Sequence, residues 1–320
     1  MKILPLFIPH LGCPFDCIYC DQKKISGIDI IDVEKTKLLI QNFCKNNPDT
    51  NKEIAFFGGT FTNLPKIKQT ELFEQTKPYL SEISGIRIST RPDAIDQEKL
   101  NFCKENSVTV IELGIQSFSD EVLKESQRGY SSQTAIRACN KVKENGFELG
   151  LQLMPGLPGF SSDSLQRTIQ TTISQKPNFV RIYPTLVIKG TKLDDIYKQG
   201  MFKPLTLDEA IKITAQMKTE FDAANIKVIK TGLHSDIAKS DIIAGPFHPA
   251  FGELVRAEIM FNKIVKEYKP DLTLYISPKD VSLFKGHGGK LIERIEETFG
   301  LQHLPIEINN KLEKGCFEVT

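Results

Sequence analysis

Short apolar runs alternate with amphipathic stretches along most of this chain, and that rhythm limits its fold more than any other feature. Strands are predicted at Ile3–Ile8, Glu53–Phe57, Ile86–Thr90, Val108–Ile115, Glu148–Met154 and Phe179–Pro184. Helical patterns fill the gaps at Val33–Asn46, Lys66–Tyr79, Asp96–Asn106, Ser131–Asn145 and Ser161–Gln175. Several have good ends: Glu144-Asn145-Gly146 reads as a C-cap, and Ser161-Ser162-Asp163 opens the next helix as an N-cap run. Strand-then-helix repetition is the pattern of βαβ units and a parallel sheet. So many units predict an α/β fold, a partial or full (βα) barrel, with its site at the C-terminal ends of the strands. Glycine-rich and polar clusters follow the apolar runs: GGTF after EIAFF, STRPD after GIRI, GIQS after VIEL and PGLPG after LQLM. One such cluster is simply a tight turn. Four on the same edge mark loops around a shared site.

At 320 residues the chain has room for one large α/β domain and a smaller module. A hydrophobic content of 40% and a charged content of 25% are those of a globular protein with a full core. The net charge of +1 excludes a general polycation, so any nucleic-acid contact needs a local basic patch. Apolar runs such as LPLFIP and VTVIELGI are too short to span a bilayer, so no membrane partner is expected. Met1-Lys2 leads straight into ILPLFIPH without a basic n-region or cleavage site, and a cytoplasmic location is expected. Cys44, Cys103, Cys139 and Cys316 are scattered singly; the first three fall in helical patterns and read as small buried hydrophobes.

The remaining cysteines crowd into GCPFDCIYC, residues 12 to 20. Cys13, Cys17 and Cys20 are spaced C-x3-C-x2-C, with no second C-x2-C or H-x3-H downstream to close a zinc tetrahedron. Three thiolates on a tight polar loop leave one position of a metal centre open. A [4Fe–4S] cluster held this way has one free iron. Zinc lacking its fourth protein ligand is the alternative.

The loop resembles the signature of the radical S-adenosylmethionine (SAM) enzymes, and the likeness extends over about residues 1 to 190. The resemblance implies a [4Fe–4S] cluster on Cys13, Cys17 and Cys20, with the aromatic Tyr19 before the last cysteine, and SAM chelated by the unique iron. It implies reductive cleavage of SAM to a 5′-deoxyadenosyl radical, on a barrel of the kind the strand count predicts. Gly58-Gly59-Thr60 resembles the motif whose backbone meets the SAM amino group, where glycine lets the chain approach a ligand closely. Ser89 and Arg91 stand where relatives contact the methionine part. Gln116 and Arg128 resemble residues that hold the carboxylate and ribose, and Gln152 the one that meets the ribose hydroxyls.

Among radical SAM families, STRPDAID…IELGIQSFSDEVLKESQRGYSSQTA…ELGLQLMPGLPG looks most like the barrel of the Elongator catalytic subunit, which modifies the wobble uridine of tRNA. The chain's cysteine spacing is tighter, and no acetyl-CoA-type Gly-rich loop follows the barrel, so acetyl transfer is not carried over. The expected substrate is RNA, a tRNA wobble uridine, with a reduced flavodoxin or ferredoxin as electron donor. A small metabolite such as a tetrapyrrole, or a non-catalytic zinc protein that binds nucleic acid, are the rival readings.

The barrel domain is expected to span residues 1–235 and an accessory module residues 236–320. Within residues 272–308 the order strand, helix, GxxG loop, helix, strand resembles the minimal KH module of single-stranded RNA-binding proteins. Lys285, Gly286, His287, Gly288, Gly289 and Lys290 would then face RNA phosphates, and Ile292, Ile295 and Phe299 would form the core face. A plain helix-turn-helix joint is the alternative. His10, His234 and His248 are read as packing or shaping residues rather than metal ligands.

Overall fold

The computed structural model describes residues 2–8, 13, 15, 17–21, 32–49, 51–233, 237–286 and 289–320. They divide into two compact units: Met1–Ala210 with Glu220–Pro249, and Ile211–Thr219 with Ala250–Thr320. His10, His234, His287 and Gly288 lie outside the described residues. No helix among those described is long and apolar enough to cross a membrane.

The first unit opens with β1 (Lys2–Ile8), α1 (Val33–Asn46), β2 (Lys52–Gly58) and α2 (Lys66–Thr76). It continues through β3 (Gly85–Thr90), α3 (Gln97–Glu105), β4 (Val108–Gln116), α4 (Asp120–Glu125), α5 (Ser132–Glu144) and β5 (Glu148–Leu153). Then come α6 (Ser162–Gln175), β6 (Phe179–Ile182), β7 (Val187–Ile188), α7 (Lys192–Lys198), the two ends of α8 (Leu207–Ala223), whose residues Ile211–Thr219 belong to the second unit, β8 (Lys227–Thr231) and β9 (Ile242–Ala244). Seven strands form one sheet in the order β1-β2-β3-β4-β5-β6-β8, every pairing parallel. Among the described residues β1 and β8 are its unpaired edges, so the barrel is partial. The predicted helix over Lys66–Tyr79 ends earlier, at Thr76, and tightens into a 3₁₀ turn at Lys77–Tyr79. Pro78 accounts for this, since it has no N–H to continue the α-helical ladder. The two short helices α4 and α7 were not foreseen; neither is long enough to show a periodic apolar face.

One parity of the strands is apolar. Ile54 and Phe56, Ile86 and Ile88, Ile111 and Leu113, Leu149 and Leu151, and Val180 and Ile182 are all fully buried. The other parity carries Glu53, Arg87, Ser89, Glu112, Gln152 and Arg181, with glycines between them. Register brings these together across strands: Ser89 lies beside Glu112, Glu112 beside Gly150, and Gln152 beside Arg181. Arg87 Nη2 donates to Glu53 Oε2 at 2.6 Å, and Arg181 Nε to Glu112 Oε1 at 2.9 Å. Arg87 also stacks on Phe179, 4.4 Å from the ring centroid. Gly150 makes room for that ring, because a Cβ there would lie 2.2 Å from Phe179 Cζ.

The second unit contains α9 (Phe251–Glu267), β10 (Leu274–Ile276), α10 (Val281–Lys285), α11 (Lys290–Phe299), β11 (Ile306–Ile308) and β12 (Phe317–Val319). β10 pairs parallel with β11 and antiparallel with β12, a third strand the sequence pattern missed. Ile295 is fully buried in its core; Ile292 and Phe299 pack against the same cluster from its margin.

Breaking the buried ion pair tests the inner face. Arg87→Leu strands Glu53 and removes one partner of Glu112, so a loss of about 3–5 kcal/mol is expected, read as a lower urea midpoint. A midpoint equal to that of the native chain would show that the pair carries no stability.

Candidate functional site

A cavity of about 200 Å³ lies where the loops after the parallel strands meet. Cys13, Cys17 and Cys20 all line it. Their loop is pinned by backbone bonds on two sides: Ile18 N–H donates to Ser126 O at 3.4 Å, and Leu193 N–H to Ile18 O at 2.7 Å. A tight turn closes it, with Cys20 N–H donating to Cys17 O at 3.0 Å. Ile18 and Tyr19 bury their side chains against Val122, Leu157 and Leu193. The apolar pair in CIYC therefore anchors the loop so that its sulfurs turn to the cavity.

Two arginines converge on Cys17. Arg91 Nη1 donates to its Sγ at 3.4 Å and Arg128 Nη1 at 3.2 Å. Arg91 is held by Asp93 through Nε and Nη2, both at 2.9 Å, and Nη2 also donates to Arg128 O. Arg128 donates to Tyr19 Oη at 3.0 Å, to Tyr130 Oη at 2.9 and 3.1 Å and to Gly114 O at 2.5 Å. Burial works against the charge on Arg128, yet Tyr130, Tyr19 and Cys17 around it raise its pKa well above the ordinary value. Burial likewise raises the pKa of Tyr19 and Tyr130, keeping both as neutral hydroxyls. The ring of Phe15 lies 5.0 Å from Arg91, against Gly129, where a Cβ would come within 2.6 Å of the ring.

Thr60 Oγ1 lies 3.0 Å from Cys13 Sγ, a hydrogen bond between the two side chains. Gly58 has φ +108°, and a Cβ there would lie 2.4 Å from Ile8 O. The sheet itself thus requires this glycine, independently of any ligand. Gln116 holds φ +68°, a left-handed conformation in a non-glycine residue at the end of β4, where the register with β5 shifts. Such strain persists only where the surroundings over-determine it, and it clusters at functional positions. The turn aims the Gln116 amide at Gln152, whose Nε2 donates to Gln116 Oε1 at 3.2 Å.

The residues singled out in the first unit (Cys13, Cys17, Tyr19, Cys20; Gly58, Gly59, Thr60; Ser89, Arg91; Gln116, Arg128, Gln152) all line this one cavity. Lys285, Gly286, Gly289 and Lys290 belong to the second unit, at the turn from α10 to α11. Sequence reasoning missed Glu112, Arg181 and Tyr183, which also line the cavity. The signal was available: each is a polar residue at the inward parity of an otherwise apolar strand, in VIELGI and FVRIY. Burial holds the Glu112 carboxyl above the ordinary carboxylate range, against the pull of Arg181 and Arg87.

Among the described residues no three His, Cys, Asp or Glu side chains gather around a single metal ion. A cuboidal cluster asks for something different: thiolates spread around a larger body, with hydrogen-bond donors reaching the sulfurs. Three cysteines lining one cavity, with two guanidinium N–H groups directed at Cys17, fit that requirement.

The profile of the radical SAM superfamily matches residues 7–172, and that of the radical SAM C-terminal domain matches residues 177–260. The chain belongs to the radical SAM superfamily, whose enzymes work with a [4Fe–4S] cluster and SAM. Within it, the chain is similar to the tRNA uridine(34) acetyltransferase of Methanocaldococcus infernus, 36% identical over 52% of this chain and 32% of that protein. It is also similar to human Elongator complex protein 3, 29% identical over 52% of this chain and 34% of that protein. These matches span about a third of each relative's length. The solved structure of the archaeal M. infernus Elp3 with an N-terminal deletion superposes with a TM-score of 0.64 at 25% identity, over 83% of this chain and 63% of that one. The chain is thus a radical SAM enzyme related to Elongator-type proteins.

Gln116→Gly separates strain from function. Glycine adopts φ +68° freely, so a gain of up to about 1 kcal/mol is expected in thermal unfolding despite the lost amide contact. Gln116→Ala loses the same amide but keeps a Cβ, so a glycine variant that melts below the alanine one would show that this backbone is not strained.

Proposed function

We propose that this enzyme generates a SAM-derived radical beside an RNA base, and that its substrate is the wobble uridine of a tRNA. The observation that carries the reading is the convergence on one cavity of the cysteine loop, the guanidinium groups of Arg91 and Arg128 and the Gln116–Gln152 pair. The similarity to a protein named tRNA uridine(34) acetyltransferase supports the choice of substrate. The proposed location is the cytoplasm, with a reduced flavodoxin or ferredoxin as electron donor.

When bound, the cluster supplies the electron that splits SAM and releases the 5′-deoxyadenosyl radical. Cys13, Cys17 and Cys20 would hold it, with SAM beside it in the same cavity. The backbone of Gly58 and Gly59, with Thr60, would face the amino group; Ser89 and Arg91 the methionine part; Gln116 and Gln152 the carboxylate and ribose. Arg128 has all three guanidinium nitrogens engaged within the protein. Its first task is to hold Tyr19 and Cys17 in place, and a carboxylate contact would need it to exchange one partner.

The second unit supplies a candidate RNA contact around Lys285, Gly286, Gly289 and Lys290. Gly286 is needed by the end of α10, where a Cβ would meet Ser282 O at 2.4 Å. Gly289 is different: it caps α11 at φ +78°, and no atom of the described residues lies within 4 Å of a Cβ position there. A glycine at the N-terminus of α11, between Lys285 and Lys290, suits a phosphate backbone approaching that helix end.

Three measurements test the proposal. Cys17→Ala, reconstituted without oxygen, is expected to lose bound iron and sulfide and all SAM cleavage; retained cleavage would remove the ligand assignment, and stoichiometric zinc in the native protein would remove the radical chemistry. Gly289→Asp is expected to weaken tRNA binding about tenfold by setting a carboxylate against phosphate. Equal affinity would remove the RNA contact from the second unit. Nucleoside analysis of tRNA from cells with and without the gene should show a changed wobble uridine; identical profiles would refute the substrate.

A further inference from the structure

The floor of the cavity holds charged groups that the chemistry above does not use. Glu112 and Arg181 both line it, beside Tyr183. Arg181 Nε donates to the two Glu112 oxygens at 2.9 and 3.0 Å, and its Nη1 to Tyr183 Oη at 3.3 Å. Behind them Arg87 Nη1 stands 3.7 Å from Glu112 Oε2 while Arg87 pairs with Glu53. Two carboxylates thus balance two guanidiniums, and the floor carries no net charge.

That balance decides what can bind. An anion taken by Arg181 would lie against the buried Glu112 carboxylate with no donor to offer it, and like charges side by side at low dielectric are costly. A neutral ligand with a donor beside an acceptor can join the pair without breaking it, because each carboxylate oxygen has two lone pairs and a guanidinium has five N–H groups. The walls ask for a flat ring. Phe57 lines the cavity, with the Arg181 guanidinium 5.0 Å from its centroid and Phe7 packed 6.2 Å away.

Resting on the reading of a uridine-containing RNA as substrate, we propose that Glu112, Arg181 and Tyr183 form a base-reading subsite. Glu112 accepts the N3–H of uracil, Arg181 donates to the neighbouring O4, and Tyr183 holds Arg181 in position. Cytosine turns both contacts against the site: its bare N3 meets carboxylate oxygen and its amino group meets guanidinium.

The test is a ligand-observed NMR titration of the full chain with uridine and with cytidine. Uridine is expected to bind at least about tenfold tighter, the discrimination of a good paired contact. In Glu112→Gln the ratio is expected to fall to within about twofold, because an amide can turn its N–H toward cytosine N3. Tyr183→Phe removes one hydroxyl, and a loss of preference of about threefold is expected. Equal affinities in the native chain overturn the subsite, as does a preference kept by a Glu112→Gln chain with native melting behaviour. Where Glu112→Gln does not fold, an unchanged preference in Tyr183→Phe overturns it. Succinate competing with uridine at comparable concentration would show an anion site and overturn it too. A chain that discriminates uridine but binds no tRNA loses the substrate reading and keeps the subsite. One that binds tRNA without telling the nucleosides apart loses the subsite alone.

Discussion

Charge placed on the inner face of a parallel sheet has little water to turn to, so it must be paired across strands. Glu53, Arg87, Glu112 and Arg181 meet this constraint as one connected group, contributed by β2, β3, β4 and β6. Pairing of this kind adds little stability over an apolar core, and removing one member is expensive. What it provides is a polar, shaped lining beneath the strand ends. Gly114 lines the cavity, while Gly150 leaves room for Phe179, which gives Arg87 a surface to lie on. The apolar parity, buried throughout, supplies the core that holds these strands in place.

The site above this lining is built from loops, and its order comes from the same economy of hydrogen bonds. Arg128 alone ties Tyr19, Cys17, Gly114 O and Tyr130 together, so the cysteine loop, the end of β4 and the turn before α5 move as one assembly. A guanidinium suits this task because its planar fork reaches several acceptors at fixed angles. Arg91, clamped by Asp93, repeats the device from the end of β3. A reactive species generated here would stand among fixed donors and buried tyrosine hydroxyls.

Much of this was legible in the chain. The strand and helix order of the first unit follows from apolar periodicity and from caps such as Ser161, whose side chain and backbone close a reciprocal pair with Ser164. The cysteine spacing singled out the loop, and the clusters after each strand marked the edge on which it sits. The inward charges were less visible. Arg87, Glu112 and Arg181 read singly as polar interruptions of apolar strands, and only register shows that they meet. Gly58 was legible as a glycine that must be there, but for an incomplete reason: the approach of β1 demands it before any ligand does.

By itself the sequence determined the α/β class, the parallel order of strands and helices, the edge that carries the site and the three thiols offered to a metal. These are local matters, set by periodicity of hydrophobic side chains and by the spacing of ligands along a short loop. The tertiary structure decided which distant residues share a cavity, that both guanidiniums reach the same sulfur, that Gln116 is held in a left-handed turn, and that the charges of the floor cancel. Those outcomes depend on strand register and side-chain packing between segments far apart in the chain, and no local pattern encodes them.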